Sequence, residues 1–172
     1  MIAALTDPWT LGCLVALSAC LTWLAVVDLR TGYLPDPLQI ALAVGGMGVA
    51  VMGSPIGITW QAALTGAAVN GGVFWALRWV VSRLKGREAM GFGDVKLVAA
   101  GGLWLGPWAL AYIMAAGGIL TLVGAGIAGA ATGKPVWRGE MPLGPGLAAG
   151  ILGVFVAAAS GASWLMLVPN LP

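Results

Sequence analysis

The chain has 172 residues, of which 60% are hydrophobic and 8% charged, with a formal net charge of +2 and a mean hydropathy of +0.97. A soluble domain carries about 25% charged residues, so this composition excludes a water-soluble globular fold and points to an integral membrane protein. Histidine is absent and only two cysteines occur, which leaves no material for a structural zinc site or a histidine-based catalytic centre.

In chain order, the first apolar run covers 9–27 and stops at Asp28. No basic segment precedes it, so it reads as a retained span and not as a cleaved signal. Cys13 and Cys20 both lie in this run, seven residues apart on similar sides of one helix, and are not expected to bond each other. The second run, 38–52, breaks at Gly53-Ser54-Pro55. The third covers 60–81, and the fourth, 93–105, is short and stops at Gly106-Pro107. The fifth covers 108–131 and the sixth 146–168. A span needs about 20 apolar residues, so the second and fourth are marginal. The expectation is an all-α, polytopic membrane helix bundle with about six transmembrane helices, forming a single domain over 1–172.

Lys and Arg are distributed one-sidedly. Arg30 follows the first run, Arg78, Arg83, Lys85 and Arg87 cluster around the end of the third, Lys96 opens the fourth, and Lys134 and Arg138 follow the fifth. The links after the second and fourth runs, and both termini, carry none. By the positive-inside rule both termini then lie outside and the odd-numbered loops are cytoplasmic. Among the 28 glycines, Gly102-x-x-x-Gly106 and Gly146-x-x-x-Gly150 are close-packing patterns. They are read as packing within one bundle in preference to a dimer seam, which leaves a homo-oligomer open.

The six acids are Asp7, Asp28, Asp36, Glu88, Asp94 and Glu140. Asp7 reads as solvated and Glu88 as a surface charge in a basic loop. Asp28 and Asp94 differ, because each stands at the cytoplasmic end of an apolar run. A carboxylate at mid-span costs about 2.5–3.5 kcal/mol on insertion scales and less near the interface. Either both acids are interface anchors, paired with Arg30 or Lys96, or they are a functional pair. Gly91 and Gly93 flank Asp94 with a permissive backbone, which lets another chain approach beside the acid. A peptide cut at a membrane must leave its helix, and its freed amides need new partners. Two aspartates held close cannot both ionise. They share one proton, so that one activates water while the other polarises the peptide carbonyl. That chemistry needs no metal and no cofactor.

Three stretches carry a family resemblance. "GFGDVKL" at 91–97 is similar to the GxGDxKL signature of the type IV prepilin peptidases, the GxGD aspartic proteases of bacterial membranes. "DLRTGYLPD" at 28–36 resembles the first aspartate motif of that family, and "MPLGPGLAAG" at 141–150 resembles the Pro-x-Gly-Pro stretch opening its last helix. The resemblance implies that Asp28 and Asp94 are the catalytic pair. It implies binding or supporting roles for Gly91, Gly93, Lys96, Asp36, Pro142, Gly144 and Pro145. For Asp36 a turn residue between Pro35 and Pro37 is the competing reading, and for Lys96 a side chain reaching to the interface. Arg30 reads as an anchor.

The family removes a short basic leader, after a glycine, from pilins and pseudopilins at the cytoplasmic face of the bacterial inner membrane. The expected partners are therefore a prepilin or pseudopilin and membrane lipid, with no nucleic acid. Larger family members carry a cytosolic insertion with two cysteine pairs that goes with N-methylation. With only Cys13 and Cys20, both inside an apolar run, methyl transfer by this polypeptide is not expected. Two other functions compete: a small proton-coupled carrier and a non-catalytic peptidase-like subunit of a secretion machine. The acids cluster on one face, which disfavours a relay across the full thickness. Aspartates at both motif positions disfavour the subunit.

Overall fold

The computed structural model describes residues 6–86, 91–132 and 143–162. Among them the elements are all helical: α1 (Pro8–Thr31), α2 (Asp36–Met52), α3 (Trp60–Lys85), α4 (Phe92–Leu105), α5 (Ala109–Thr132) and α6 (Gly144–Ala159). Local chemistry sets several boundaries. Asp7 caps α1, its carboxylate accepting the Thr10 N–H at 3.1 Å with Pro8 in the first helical position, so it is a cap as well as a terminal charge. Gly32 ends α1 in the left-handed region at φ +64, its N–H bonded to the Asp28 carbonyl at 2.8 Å.

The last helix differs from expectation. It begins at Gly144, two residues earlier than the apolar run suggested, and closes at Ala159. The Gly161 N–H bonds Ala158 O and the Ala162 N–H bonds Ala157 O, with Gly161 at φ +78. This paired arrangement is a Schellman stop, and hydropathy alone does not reveal it. The expected continuation over 163–168 lies outside the described residues.

Helix α4 is the centre of the bundle. It packs against α2, α3 and α6, while α5 flanks α6, and α1 lies against both α6 and α2. Nine of its 14 residues are buried. At 1.5 Å per residue it is about 21 Å long, short of the roughly 30 Å hydrocarbon core. Its neighbours replace lipid around it, so a short helix is tolerated there. The core is built from Leu17, Leu21 and Leu24 of α1, Leu97 of α4, and Ile151 and Phe155 of α6. Trp104 stands edge-on to Phe155 at 6.0 Å and donates its indole N–H to Leu42 O at 2.8 Å.

Both small-residue patterns are used inside the chain. A Cβ on Gly102 would run into the Gly66 backbone of α3, and one on Gly150 would stand 2.8 Å from Ile113 O and 3.0 Å from Gly117 N of α5. Such backbone contact supplies the packing that hydrophobic burial cannot supply between helices in lipid.

The outer faces are apolar, with Val15, Ile40, Val73, Leu122 and Ile127 exposed. Two segments, Pro8–Thr31 and Ala109–Ile127, are long and apolar enough to cross a membrane. α2 and α6 are apolar but shorter, and α3 is interrupted by Gln61, Asn70 and Arg78. The ends of the bundle are chemically distinct. Trp9, Trp60 and Trp108, all exposed, stand at the end where α1 and α3 start and α4 finishes, and the Trp9 indole bonds Gly53 O at 2.8 Å. Arg30, Arg83, Lys85 and Lys96 stand at the opposite end.

Candidate active site

Both aspartates lie at the cationic end. Asp28 occupies the last turn of α1 and is 7% exposed, because it faces the start of α6. A Cβ on Gly144 would stand 2.5 Å from Asp28 Oδ2, so only glycine lets α6 begin so near the carboxylate. The Gly144 amide points its N–H at the carboxyl group, while Oδ2 has no hydrogen-bond partner among the described residues. Pro145 follows in the first turn of α6, where its missing N–H would have had no helical acceptor. Pro142 lies outside the described residues.

Asp94 is the third residue of α4 and is 8% exposed. Its carboxylate accepts the backbone N–H of Gly91, the residue capping that helix, which is one half of a capping box. The N-termini of α4 and α6 thus direct N–H groups at the two carboxylates, and helix ends of this sense favour negative charge. The Asp28 and Asp94 carboxyl groups are near enough to act on each other electrostatically.

The other expected residues divide. Gly93 is explained by packing: a Cβ there would stand 3.0 Å from Leu34 Cβ, in the connection between α1 and α2. The chain that approaches Gly93 is therefore this protein's own. Gly91 is exposed, has an ordinary extended backbone (φ −65, ψ 145), and a Cβ there would meet nothing nearer than Asp94 Oδ2 at 3.6 Å. Packing gives no reason for glycine at that position. Asp36 opens α2 and accepts an ion pair from Lys96 Nζ at 2.7 Å. Lys96 therefore pairs with Asp36, whereas the anchor reading had put it with one of the two buried aspartates. Its Nζ also lies 5.4 Å from the centre of the Phe92 ring, with the Arg78 guanidinium 5.8 Å from the same ring. Arg30 is exposed.

Sequence reasoning missed Leu34 and Gln39. Gln39 is 4% exposed, donates from Nε2 to Leu34 O at 3.3 Å, and leaves Oε1 without a partner among the described residues. The available signal was an amide inside an apolar run, which carries a desolvation cost and so needs a reason. Leu34 carried no signal, being one apolar residue among many. Among the described residues there is no group of three or more His, Cys, Asp or Glu arranged to hold a metal ion, and Cys13 and Cys20 are both free.

The model of the type IV leader peptidase family matches residues 15–133. The chain belongs to that family. The match includes Asp28, Asp36, Gly91, Gly93, Asp94 and Lys96, and stops short of Gly144 and Pro145. Among curated relatives, the chain is 38% identical over 141 residues to a prepilin leader peptidase/N-methyltransferase of Burkholderia pseudomallei, covering 78% of this chain and 42% of that protein. It is 36% identical over 148 residues to a protein of the same description from Pectobacterium carotovorum, covering 84% and 50%. A type 4 prepilin-like proteins leader peptide-processing enzyme of Escherichia coli is 36% identical over 113 residues, covering 64% and 41%. The chain spans half or less of the length of these leader peptidase relatives. No solved structure matches it.

Proposed function

We propose that this protein is an aspartic endopeptidase that removes the basic leader of a type IV prepilin or pseudopilin, after a glycine, using Asp28 and Asp94 to activate water. The observation that carries this reading is the meeting of three sequence-distant segments at one end of the bundle. Asp28 from α1, the first turn of α4 with Asp94, and Gly144 of α6 come together, with both carboxyl groups buried and in electrostatic reach. Membership of the leader peptidase family supplies the substrate class.

In this mechanism the two carboxyl groups hold one proton between them, since two neighbouring charges are costly in a poorly solvated site. The ionised carboxylate takes a proton from water as it attacks the scissile carbonyl. The protonated partner donates to the carbonyl oxygen, and the amine leaves with a proton returned by the pair. The exposed, unhindered Gly91 borders the site from the cytoplasmic side and gives an extended substrate segment room to lie along the backbone. The bundle sits in the bacterial inner membrane with both termini periplasmic, and the cationic end carrying the site faces the cytoplasm.

The test is cleavage of a co-expressed prepilin. Asp28→Asn and Asp94→Asn should each abolish leader removal while membrane abundance stays near wild type, because an amide can neither give up nor share the proton. Asp36→Asn should keep measurable activity. Full cleavage by the Asp94→Asn protein would remove Asp94 from the chemistry.

A further inference from the structure

The two buried aspartates sit on separate helices, and nothing covalent near the site holds those helices in register. Besides α6, which packs on both, the short connection after α1 links them. It leaves Asp28, turns at Gly32, and delivers Leu34 and Asp36 onto the first turn of α4. Leu34 seats in the gap left by Gly93, the residue before Asp94. Its carbonyl is held by the Gln39 amide from the buried side. On the exposed side Asp36 closes the contact through its 2.7 Å ion pair with Lys96, two residues beyond Asp94. Each aspartate is thus followed, within eight residues of chain, by one half of a charge pair that joins the start of α2, just past α1, to α4.

We infer that Asp36 and Lys96 work as a single positioning pair, a clasp that seats the α1–α2 connection on α4 and so sets how Asp28 faces Asp94; neither contacts the substrate. The inference rests on the proposed Asp28/Asp94 chemistry. A pair this exposed, with side chains 41% and 50% accessible, contributes little to global stability. Its effect is on geometry, where displacement of a reacting group by about 1 Å can cost a hundredfold in rate. The Phe92 ring beside the Lys96 ammonium restricts where that charge can go, which favours the bridged arrangement. Lys96 then has no spare role as an anchor for substrate, and Asp36 has no role as a third acid.

A charge swap tests this. Purified wild type, Asp36→Lys, Lys96→Asp and the double variant Asp36→Lys/Lys96→Asp are assayed in detergent on a purified prepilin whose basic leader ends in glycine. Each single reversal should lower kcat by about tenfold or more with KM within about twofold, and the swap should recover most of the loss. Raising ionic strength should lower wild-type kcat and leave Asp36→Asn flat, a response that a purely structural defect would not produce. Thermal midpoints identify a variant that has not folded, and the salt response of wild type against Asp36→Asn still decides the matter. Single reversals that leave kcat unchanged, or that raise KM alone, overturn the clasp while leaving the Asp28/Asp94 reading intact. A swap no better than its worse parent also overturns it. Absence of cleavage by wild type overturns both.

Discussion

At the residue scale, the two glycines nearest the carboxyl groups have opposite constraints. A methyl group on Gly144 has no space: it would stand 2.5 Å from Asp28 Oδ2 and 2.9 Å from Cγ. Either the aspartate or the start of α6 must move. Under the proposed role of Asp28, Gly144→Ala is therefore expected to lower kcat on the order of a hundredfold, with the protein still inserted. Gly91→Ala makes only ordinary contact, with Asp94 Oδ2 at 3.6 Å, on an allowed backbone, so its thermal midpoint should equal that of wild type. A fall in cleavage by that variant should be mainly a rise in KM, because the added methyl makes no contact tight enough to displace Asp94 and chiefly obstructs what comes from outside. A changed midpoint for Gly91→Ala would show that packing, not access, keeps glycine there.

At the scale of elements, the bundle depends on a few backbone-to-backbone contacts. Gly66 of α3 lies against Gly102 of α4 and Gly106, which caps α4, and a Cβ on it would stand 2.7 Å from Gly106 C. No flexible side chain is there to yield. Gly66→Ala should destabilise by about 1–3 kcal/mol, the usual cost of overpacking, read as a lower midpoint in an SDS unfolding titration. The cap of α1 is a milder case. Gly32 adopts φ +64 and a Cβ there would meet nothing within 4 Å, so Gly32→Ala strains only the backbone and should cost about 1 kcal/mol. A larger loss from Gly32→Ala than from Gly66→Ala would contradict the distinction. Asn70 is buried in the same α3–α4 seam, donates to Gly106 O at 3.1 Å, and ties the far end of α4 to α3.

At the scale of the whole molecule, the two ends of the bundle differ in charge, and the proposed orientation follows from that difference. Trp9, Trp60 and Trp108 stand at one end, and Arg30, Arg83, Lys85 and Lys96 at the other, where Trp79 lies under the Arg83 guanidinium. A single cysteine placed at Lys85 in a cysteine-free background should stay unlabelled by an impermeant thiol reagent in intact cells, and label once the cells are opened. Labelling in intact cells would put the aspartates on the outer face and end the prepilin reading.

How much of this was legible in advance depends on whether the signal is local. Hydropathy, glycine breaks and the Lys and Arg pattern are written residue by residue, so the helical bundle and the general extent of most helices follow from the sequence alone. The three motifs are local as well, and they were enough to single out Asp28 and Asp94. The end of α6 was not legible, because a Schellman stop is made by backbone geometry inside an apolar run. Which helix becomes the centre was also hidden: α4 is the shortest of the six and least like a span, and its neighbours' packing puts it there. The partner of Lys96 was a matter of tertiary structure too. In the sequence Asp94 is the acid nearest to it, yet the ammonium meets Asp36, 60 residues away. Sequence determined which side chains are present and that the cations fall on alternate links between the apolar runs. Only folding decided which of them touch, because the small-residue patterns mark where backbones can approach closely but not which helix they meet, and crossing geometry has no signature in the order of residues along one chain.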